Sequence, residues 1–399
     1  MSVDALRREP AARVPFVDRV AVRALERVLQ GLEGGTLLVR LPDGAEVSFG
    51  SGPAVRMTID DPRFFRRLAT RPRLGLGESY QAGEWRSDDL PGLLRLLIRN
   101  AERASARHPH LRRFAKLRPR LNHRTGLLAA GRNIRYHYDL GNELFSLFLD
   151  ETMTYSCAVF EQEDEPLAQA QRRKLALVCE KLELGPDDHV LEIGCGWGSF
   201  ALVAAGEYGA RVTGITLSPA QADRARRRVA ESGLAERVEI RVQDFREVEG
   251  VFTKVASIEM LEAIGEELFD SFFATIDRVL APGGRACVQT ILIPDARYGR
   301  YRSSPDWIER YVFPGCLIPS LGALAQAAGA LHLHHFEEVG HHYGETLVRW
   351  RGAFLARLGE VRALGYDERF VRTWDFYLAS CEALFRAGLL RDAQLVVTR

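Results

Sequence analysis

The sequence has little that would lock a chain covalently. Its six cysteines, Cys157, Cys179, Cys195, Cys287, Cys316 and Cys381, are scattered through 399 residues and form no Cys-x-x-Cys pair. That argues against a disulfide frame or a zinc site and suits free thiols in a reducing compartment. No run reaches the ~18 apolar residues of a membrane span. Met1 to Arg13 mixes acids and bases and has no apolar stretch of signal-peptide length, so a cytosolic protein is expected. An excess of one charge is also missing: the net charge is +1, and any electrostatic preference must be local. With 46% hydrophobic content the chain can bury ample core, and two domains are expected because single cores stop growing near ~250–300 residues.

What is present centres on Val190 to Gly198, Val-Leu-Glu-Ile-Gly-Cys-Gly-Trp-Gly. An apolar strand runs into Gly194, Gly196 and Gly198, and a helix-like stretch follows at Ser199. Glycines at such a junction let the backbone turn sharply and let a nucleotide-like ligand lie beside a helix N-terminus. Glycine turns also join strands to helices without binding anything, so the next strands decide. Arg211 to Leu217 is strand-like and ends in Thr216-Leu-Ser-Pro-Ala-Gln221, where a dinucleotide fold would carry a ribose-binding acid ~20 residues past the glycines. No acid stands there. Thr216 and Gln221 can still bond a ligand edge, and Gln243-Asp244 after the third strand can grip an adenine. The pattern argues against NAD and fits S-adenosylmethionine.

Short strands over 36–42, 46–49 and 55–59, a helix over 62–70, a glycine-bearing turn at Gly75 to Tyr80 and a helix over 90–98 make a small α+β module. A helix over 17–33 precedes them. The module ends near residue 100 and shows no nucleophile–base pair, which leaves a docking role and a purely structural one open. Residues 101–135 carry ten Lys/Arg against one acid, Glu102. This basic helical segment reads as a solvated linker or as a patch for anionic lipid heads, where each nearby base is worth ~1 kcal/mol before screening. Nucleic acid is disfavoured, since Phe114 is the segment's one aromatic for stacking.

Tyr136-His-Tyr-Asp-Leu-Gly-Asn-Glu-Leu-Phe145, Met153-Thr-Tyr-Ser-Cys-Ala158, the glycine turn, Thr216 to Gln221, Tyr311-Val-Phe-Pro-Gly315 and Leu317-Ile-Pro-Ser320 together resemble the cyclopropane-fatty-acyl-phospholipid synthase family, which includes the mycolic acid cyclopropane synthases. The resemblance runs from about residue 75 to the end. It implies methylene transfer from S-adenosylmethionine to the cis double bond of a phospholipid acyl chain, with a bound bicarbonate as the base that closes the ring. By resemblance the cofactor lies against Tyr155, Ser156, Glu192, Gly194, Gly196, Gly198, Thr216, Leu217, Gln221, Gln243 and Asp244. The bicarbonate lies against the Cys157 backbone, Glu262, Ile291 and Tyr343, and the acyl site against Tyr138 and Glu143. Cys381 matches a cysteine proposed as active in the family, although its apolar helical surroundings fit a structural thiol.

Two departures bear on the product. Gln289 stands where the family has a histidine contacting the bicarbonate, and it keeps a donor while losing the titratable ring. Glu143 stands where many members have Asp. Ring closure and a methylene- or methyl-branched product both remain open. His332, His334, His335, His341 and His342 lack a carboxylate set at metal spacing, so no metal is expected. The arginines from Arg224 to Arg228 read as the solvated face of a helix.

The expected fold is α/β: a class I methyltransferase, doubly wound around a seven-stranded sheet, with a small N-terminal α+β domain. The domains are 1–100 (lipid docking), 101–135 (basic linker) and 136–399 (methyltransferase with acyl-site helices). Strands are expected at 189–194, 211–217, 238–243, 254–259 and 285–293, with a last one at 392–398. The expected partners are a phospholipid bilayer, touched peripherally from its inner face, and a second copy of the chain as a homodimer; no nucleic acid is expected. A small-molecule methyltransferase and a non-catalytic lipid-binding module are the competing classes.

Overall fold

The fold, obtained as a computed structural model, describes residues 29, 31–107, 141–162, 164–303 and 306–399. Most of the helix expected over 17–33, most of the basic segment and Tyr138 lie outside them. The chain divides into two compact units, Met1–Pro119 with Gly365–Ala387, and Arg120–Leu364 with Gly388–Arg399.

In the first unit a four-stranded sheet runs in the order β2 (Glu46–Ser51), β1 (Gly35–Arg40), β3 (Ala54–Ile59), β4 (Trp85–Ser87). Helices α1 (Arg63–Thr70), α2 (Gly75–Gln81) and α3 (Leu90–Arg107) accompany it. The stretch from Gly75 to Tyr80, expected as a turn, is helix α2. Its first glycine answers to packing, because a Cβ on Gly75 would lie 2.6 Å from the Arg67 carbonyl oxygen. A late helix, α14 (Glu368–Arg386), packs on α2 and α3. Tyr80 donates from its hydroxyl to Asp375 Oδ2 at 2.5 Å and its ring meets Phe376 at 5.5 Å. Residues 365–387, read from the sequence as part of the methyltransferase domain, thus fold with the N-terminal module. Val371, Trp374 and Phe376 of this helix are buried, and the Phe376 ring packs on Tyr80 and Trp85 of the module.

The second unit carries the seven-stranded sheet, in the order β10 (His332–Glu338), β11 (Arg391–Thr398), β9 (Leu280–Leu292), β8 (Phe252–Ile258), β5 (His189–Ile193), β6 (Arg211–Thr216), β7 (Val238–Val242). Strands β5 to β9 pair in parallel, whereas β11 runs antiparallel to both its neighbours. Their apolar runs suit a sheet buried on both faces: Leu191 and Ile193 enter one core, Val190 and Val212 the other. The second core also takes up Cys179, Cys195 and Cys287, where burial pushes the Cys287 thiol up to about 12. Helices α4 (Gly141–Phe148), α5 (Leu167–Leu182), α6 (Ser199–Glu207), α7 (Pro219–Glu231), α8 (Phe269–Val279), α9 (Asp295–Tyr301), α10 (Trp307–Tyr311), α11 (Leu321–Ala327), α12 (Tyr343–Ala356) and α13 (Leu358–Ala363) complete the unit. The chain leaves β5 towards β6 and β7 and returns to β8 on the other side. The carboxyl ends of β5 and β8 therefore flank the switch point where α/β sheets bind ligands.

Candidate active site

A cavity opens at that switch point, lined by Met153 to Ser156, Glu192 to Trp197, Thr216, Leu217, Gln221, Gln243, Asp244 and Glu259. Ten of the eleven residues expected to bind cofactor line it. The other, Gly198, lies just beyond, as the left-handed N-cap of α6 (φ +82). Gly194 (φ +86) admits no side chain, because a Cβ would strike Met260 at 2.7 Å. At Gly196 (φ +51) a Cβ would meet no protein atom within 4 Å, so that position faces open space.

The polar groups around the cavity are held in different ways. Thr216 Oγ1 donates to Gln221 Oε1 at 3.0 Å. Asp244 is ion-paired with Arg246 at 2.5 Å; burial alone would raise its carboxyl, but the arginine's bonds outweigh that and hold it below the usual range. Glu192 is buried, and burial raises it to about 8 against the pull of Lys174. Its Oε2 has no hydrogen-bond partner among the described residues. Ser156 accepts a bond from Lys174 Nζ at 2.5 Å. Tyr155 packs edge-on against Phe145 and Phe148 and tilted against Trp350, with centroids 5.1–6.1 Å away, and gives the cavity an aromatic wall.

Beside this lies a second constellation, built on a residue that sequence reasoning missed. Glu259 follows β8 directly, in the left-handed region at φ +49. Its Oε1 accepts from the Cys157 backbone N–H at 2.7 Å and from Gln289 Nε2 at 2.9 Å, and its Oε2 accepts from the Tyr343 hydroxyl at 2.5 Å. A non-glycine residue held at such an angle carries strain of order 1–3 kcal/mol, and here it aims a carboxylate at three converging donors. Gln289 Nε2 also reaches Asp392 Oδ2 at 2.9 Å. Burial, then repulsion from Glu259 and Glu262, pushes Asp392 well above the carboxylate range; Glu259 rises mainly through burial, opposed by Lys174 and its donors. The three donors on Glu259 favour charge on that carboxylate over Asp392. The available signal was an acid at the carboxyl end of an apolar strand, three residues before Glu262. Asp392 and Lys174 carried no local signal.

Of the four groups expected around a bicarbonate, two therefore serve Glu259, as does Gln289. The other two bind each other: Glu262 Oε1 accepts from the Ile291 N–H and from Thr290 Oγ1. Burial and the charge of Glu259 raise Glu262 to about 8. These residues do not fit a bicarbonate ion, because the donors that would hold it are already bonded to carboxylates of the chain. Cys381 is on α14 in the first unit and partly exposed, rather than buried as its neighbours in sequence suggest. Glu143 is exposed on α4. His332, His334 and His335 lie on the exposed strand β10, and among the described residues no three His, Cys, Asp or Glu side chains are grouped to hold a metal. Arg228 is not solvated with its neighbours. It donates to the Trp197 carbonyl at 2.6 Å, to Ser199 Oγ at 3.2 Å and to the Thr152 carbonyl at 2.9 Å, tying the glycine turn to the Met153 segment.

With this geometry in view, the likeness to known proteins takes on chemical meaning. The profile of the mycolic acid cyclopropane synthetase family matches residues 127–395. The chain is 40% identical over 347 residues to the tuberculostearic acid methyltransferase UfaA1 of Mycobacterium tuberculosis, covering 84% of this chain and 81% of that one. It is 37% identical over 351 residues to the cyclopropane-fatty-acyl-phospholipid synthase of Escherichia coli K12, covering 88% and 89%. The solved structure of mycolic acid cyclopropane synthase CmaA1 with SAH and CTAB superposes with a TM-score of 0.63 at 31% identity, covering 67% of this chain and 98% of that one. The chain belongs to the mycolic acid cyclopropane synthetase family.

Proposed function

We propose that this protein transfers the methyl group of S-adenosylmethionine to the cis double bond of an unsaturated phospholipid acyl chain and releases a methylene-branched chain, with Glu259 in place of an exogenous bicarbonate. The cofactor supplies an electrophilic methyl on a sulfonium centre. The cavity suits it: the glycine turn leaves Gly196 open to a ligand, and the free Glu192 Oε2 offers a buried acceptor for a cofactor donor.

An isolated alkene is a weak nucleophile, so the chain's residues act chiefly by positioning and by excluding water. Tyr155 and Trp197, which line the cavity and are packed on the buried Phe145, supply aromatic rings that tolerate a developing carbocation. Methyl addition leaves a cation that must lose a proton, and Glu259 is the anion poised to take it, directly or through the Tyr343 hydroxyl. Because three donors fix that carboxylate, it stabilises the cation without moving onto the new methyl at once. This leaves time for hydride migration before the proton is lost, and migration leads to an exocyclic methylene rather than a ring.

The observation that carries this reading is the set of three hydrogen bonds on Glu259. The name of the 40% identical relative, a methyltransferase, points the same way. Ring closure is the second reading, favoured by the name of the 37% identical relative. Mass spectrometry of lipids from cells expressing the protein, with ozonolysis to locate exocyclic alkenes, separates the two. The bilayer itself is the proposed partner, through the ten bases of residues 101–135. No helix among the described residues is long and apolar enough to cross a membrane.

A further inference from the structure

The Gln289 amide has two unlike ends, and the chemistry of Glu259 requires the NH2 end to face it. Nothing in Gln289 itself fixes that choice. The structure holds a chain of contacts that does. Gln289 and Gln394 are directly opposite each other on β9 and β11, both buried, and Gln394 Nε2 donates to Gln289 Oε1 at 3.0 Å. Gln394 Oε1 in turn accepts from Lys181 Nζ at the end of α5, and Lys181 pairs on its outer side with Glu337 of β10. An ammonium only donates. The Gln394 oxygen must therefore turn to Lys181, its nitrogen to the Gln289 oxygen, and the Gln289 nitrogen to Glu259 and Asp392.

We propose that Lys181 is a positioning residue which, through Gln394, sets the orientation of the Gln289 amide and so keeps its NH2 group on the Glu259–Asp392 pair. This rests on the reading of Glu259 as the working carboxylate. The charged and titratable groups facing the pair are Lys174 from α5, Glu262, Tyr343 and Cys157; those at the outer end are Glu337 and, around it, His335 and His341.

The test uses the full-length protein and four variants. Infrared spectroscopy at neutral pH reads the protonated carboxyl band of the pair without substrate, the band being assigned by its loss in Asp392→Asn. Lys181→Met removes the terminal donor, and Gln394→Met cuts the chain while leaving the lysine charge in place. Lys181→Arg keeps a cation that only donates. The expected result is a band displaced in the same direction by Lys181→Met and Gln394→Met and restored by Lys181→Arg. Turnover should follow the same pattern, falling roughly ten- to a hundredfold in Lys181→Met and Gln394→Met, the worth of one hydrogen bond to a charged group, at an unchanged KM for S-adenosylmethionine. Four results would overturn the proposal: a band unaffected by Asp392→Asn, a band unmoved in both Met variants, displacement in Lys181→Met alone, or failure of Lys181→Arg to restore it. Because the spectrum needs no turnover, a wild-type protein that makes only rings would defeat the proposed function and leave this measurement standing.

Discussion

Replacing Glu259 by glycine tests the site at its centre. The substitution suits the backbone, since φ +49 is a left-handed angle that costs a side-chain-bearing residue ~1–2 kcal/mol and glycine almost nothing. It also leaves the Cys157 N–H, the Gln289 amide and the Tyr343 hydroxyl without their acceptor. A buried donor left unmade costs ~1–3 kcal/mol. With the tyrosine hydroxyl free to rotate, two orphaned donors (~2–6 kcal/mol) against one relieved strain (~1–2 kcal/mol) give a net loss of ~0–5 kcal/mol in stability. The protein should still fold. The rate should fall further, because a charge that stabilises a developing cation is worth ~3–4 kcal/mol, or about a hundred- to a thousandfold in turnover. The vacated cradle is then shaped for a small carboxylate-like anion. Adding bicarbonate or formate should restore turnover in Glu259→Gly and do nothing to the wild type. Methyl transfer to vesicles of dioleoyl phosphatidylglycerol, followed by mass spectrometry across a bicarbonate series, is the assay. A glycine variant with wild-type turnover in the absence of added anion would refute the reasoning.

Three further outcomes are expected. Gly196→Val should abolish S-adenosylmethionine binding by calorimetry; the added atoms meet no protein wall, but the left-handed angle (φ +51) strains a β-branched residue and should cost ~1–3 kcal/mol of stability, so a folded variant, checked by its melting curve, with wild-type affinity would remove the cofactor from this turn. Glu262 and Glu192 are both raised to about 8, so the unfolded chain releases their protons near pH 4.5 and the native state does not until about 8. Stability should therefore fall as pH rises through that window, and Glu262→Gln should flatten the slope of melting temperature against pH. Neutralising Arg112, Arg113, Lys116, Arg118 and Arg120 should weaken salt-sensitive sedimentation with anionic liposomes, and unchanged sedimentation would reject the lipid role of the basic segment.

The parts legible in the sequence are those whose signal is local. The strand ending at Ile193 and its glycines announce a ligand turn because an apolar run and alternating glycines stand side by side, and the missing acid after β6 separates one cofactor class from another. Gln289 was legible as a departure from a family pattern, but not its consequence, since its partners Asp392 and Gln394 lie more than a hundred residues away. Glu259 was passed over for Glu262 because the two acids share one loop and only the fold decides which one meets Cys157 and Tyr343. Arg228 looked solvated on helical periodicity; its long side chain reaches carbonyls that periodicity does not describe. The return of α14 to the first unit was hidden for the same reason, as an amphipathic helix does not state which core it completes.

If the chain supplies its own anion where a bicarbonate would otherwise sit, turnover should not depend on carbonate. Purified protein, trideuteriomethyl-labelled S-adenosylmethionine and dioleoyl phosphatidylglycerol vesicles would be assayed in buffer stripped of carbon dioxide and again with bicarbonate restored, with ozonolysis of the labelled lipid. Equal rates are expected in the two buffers, with a product that yields a ketone on ozonolysis and has lost one deuteron from the transferred methyl. Turnover that stops without bicarbonate, with an ozone-resistant cyclopropane as product when it is restored, would contradict it.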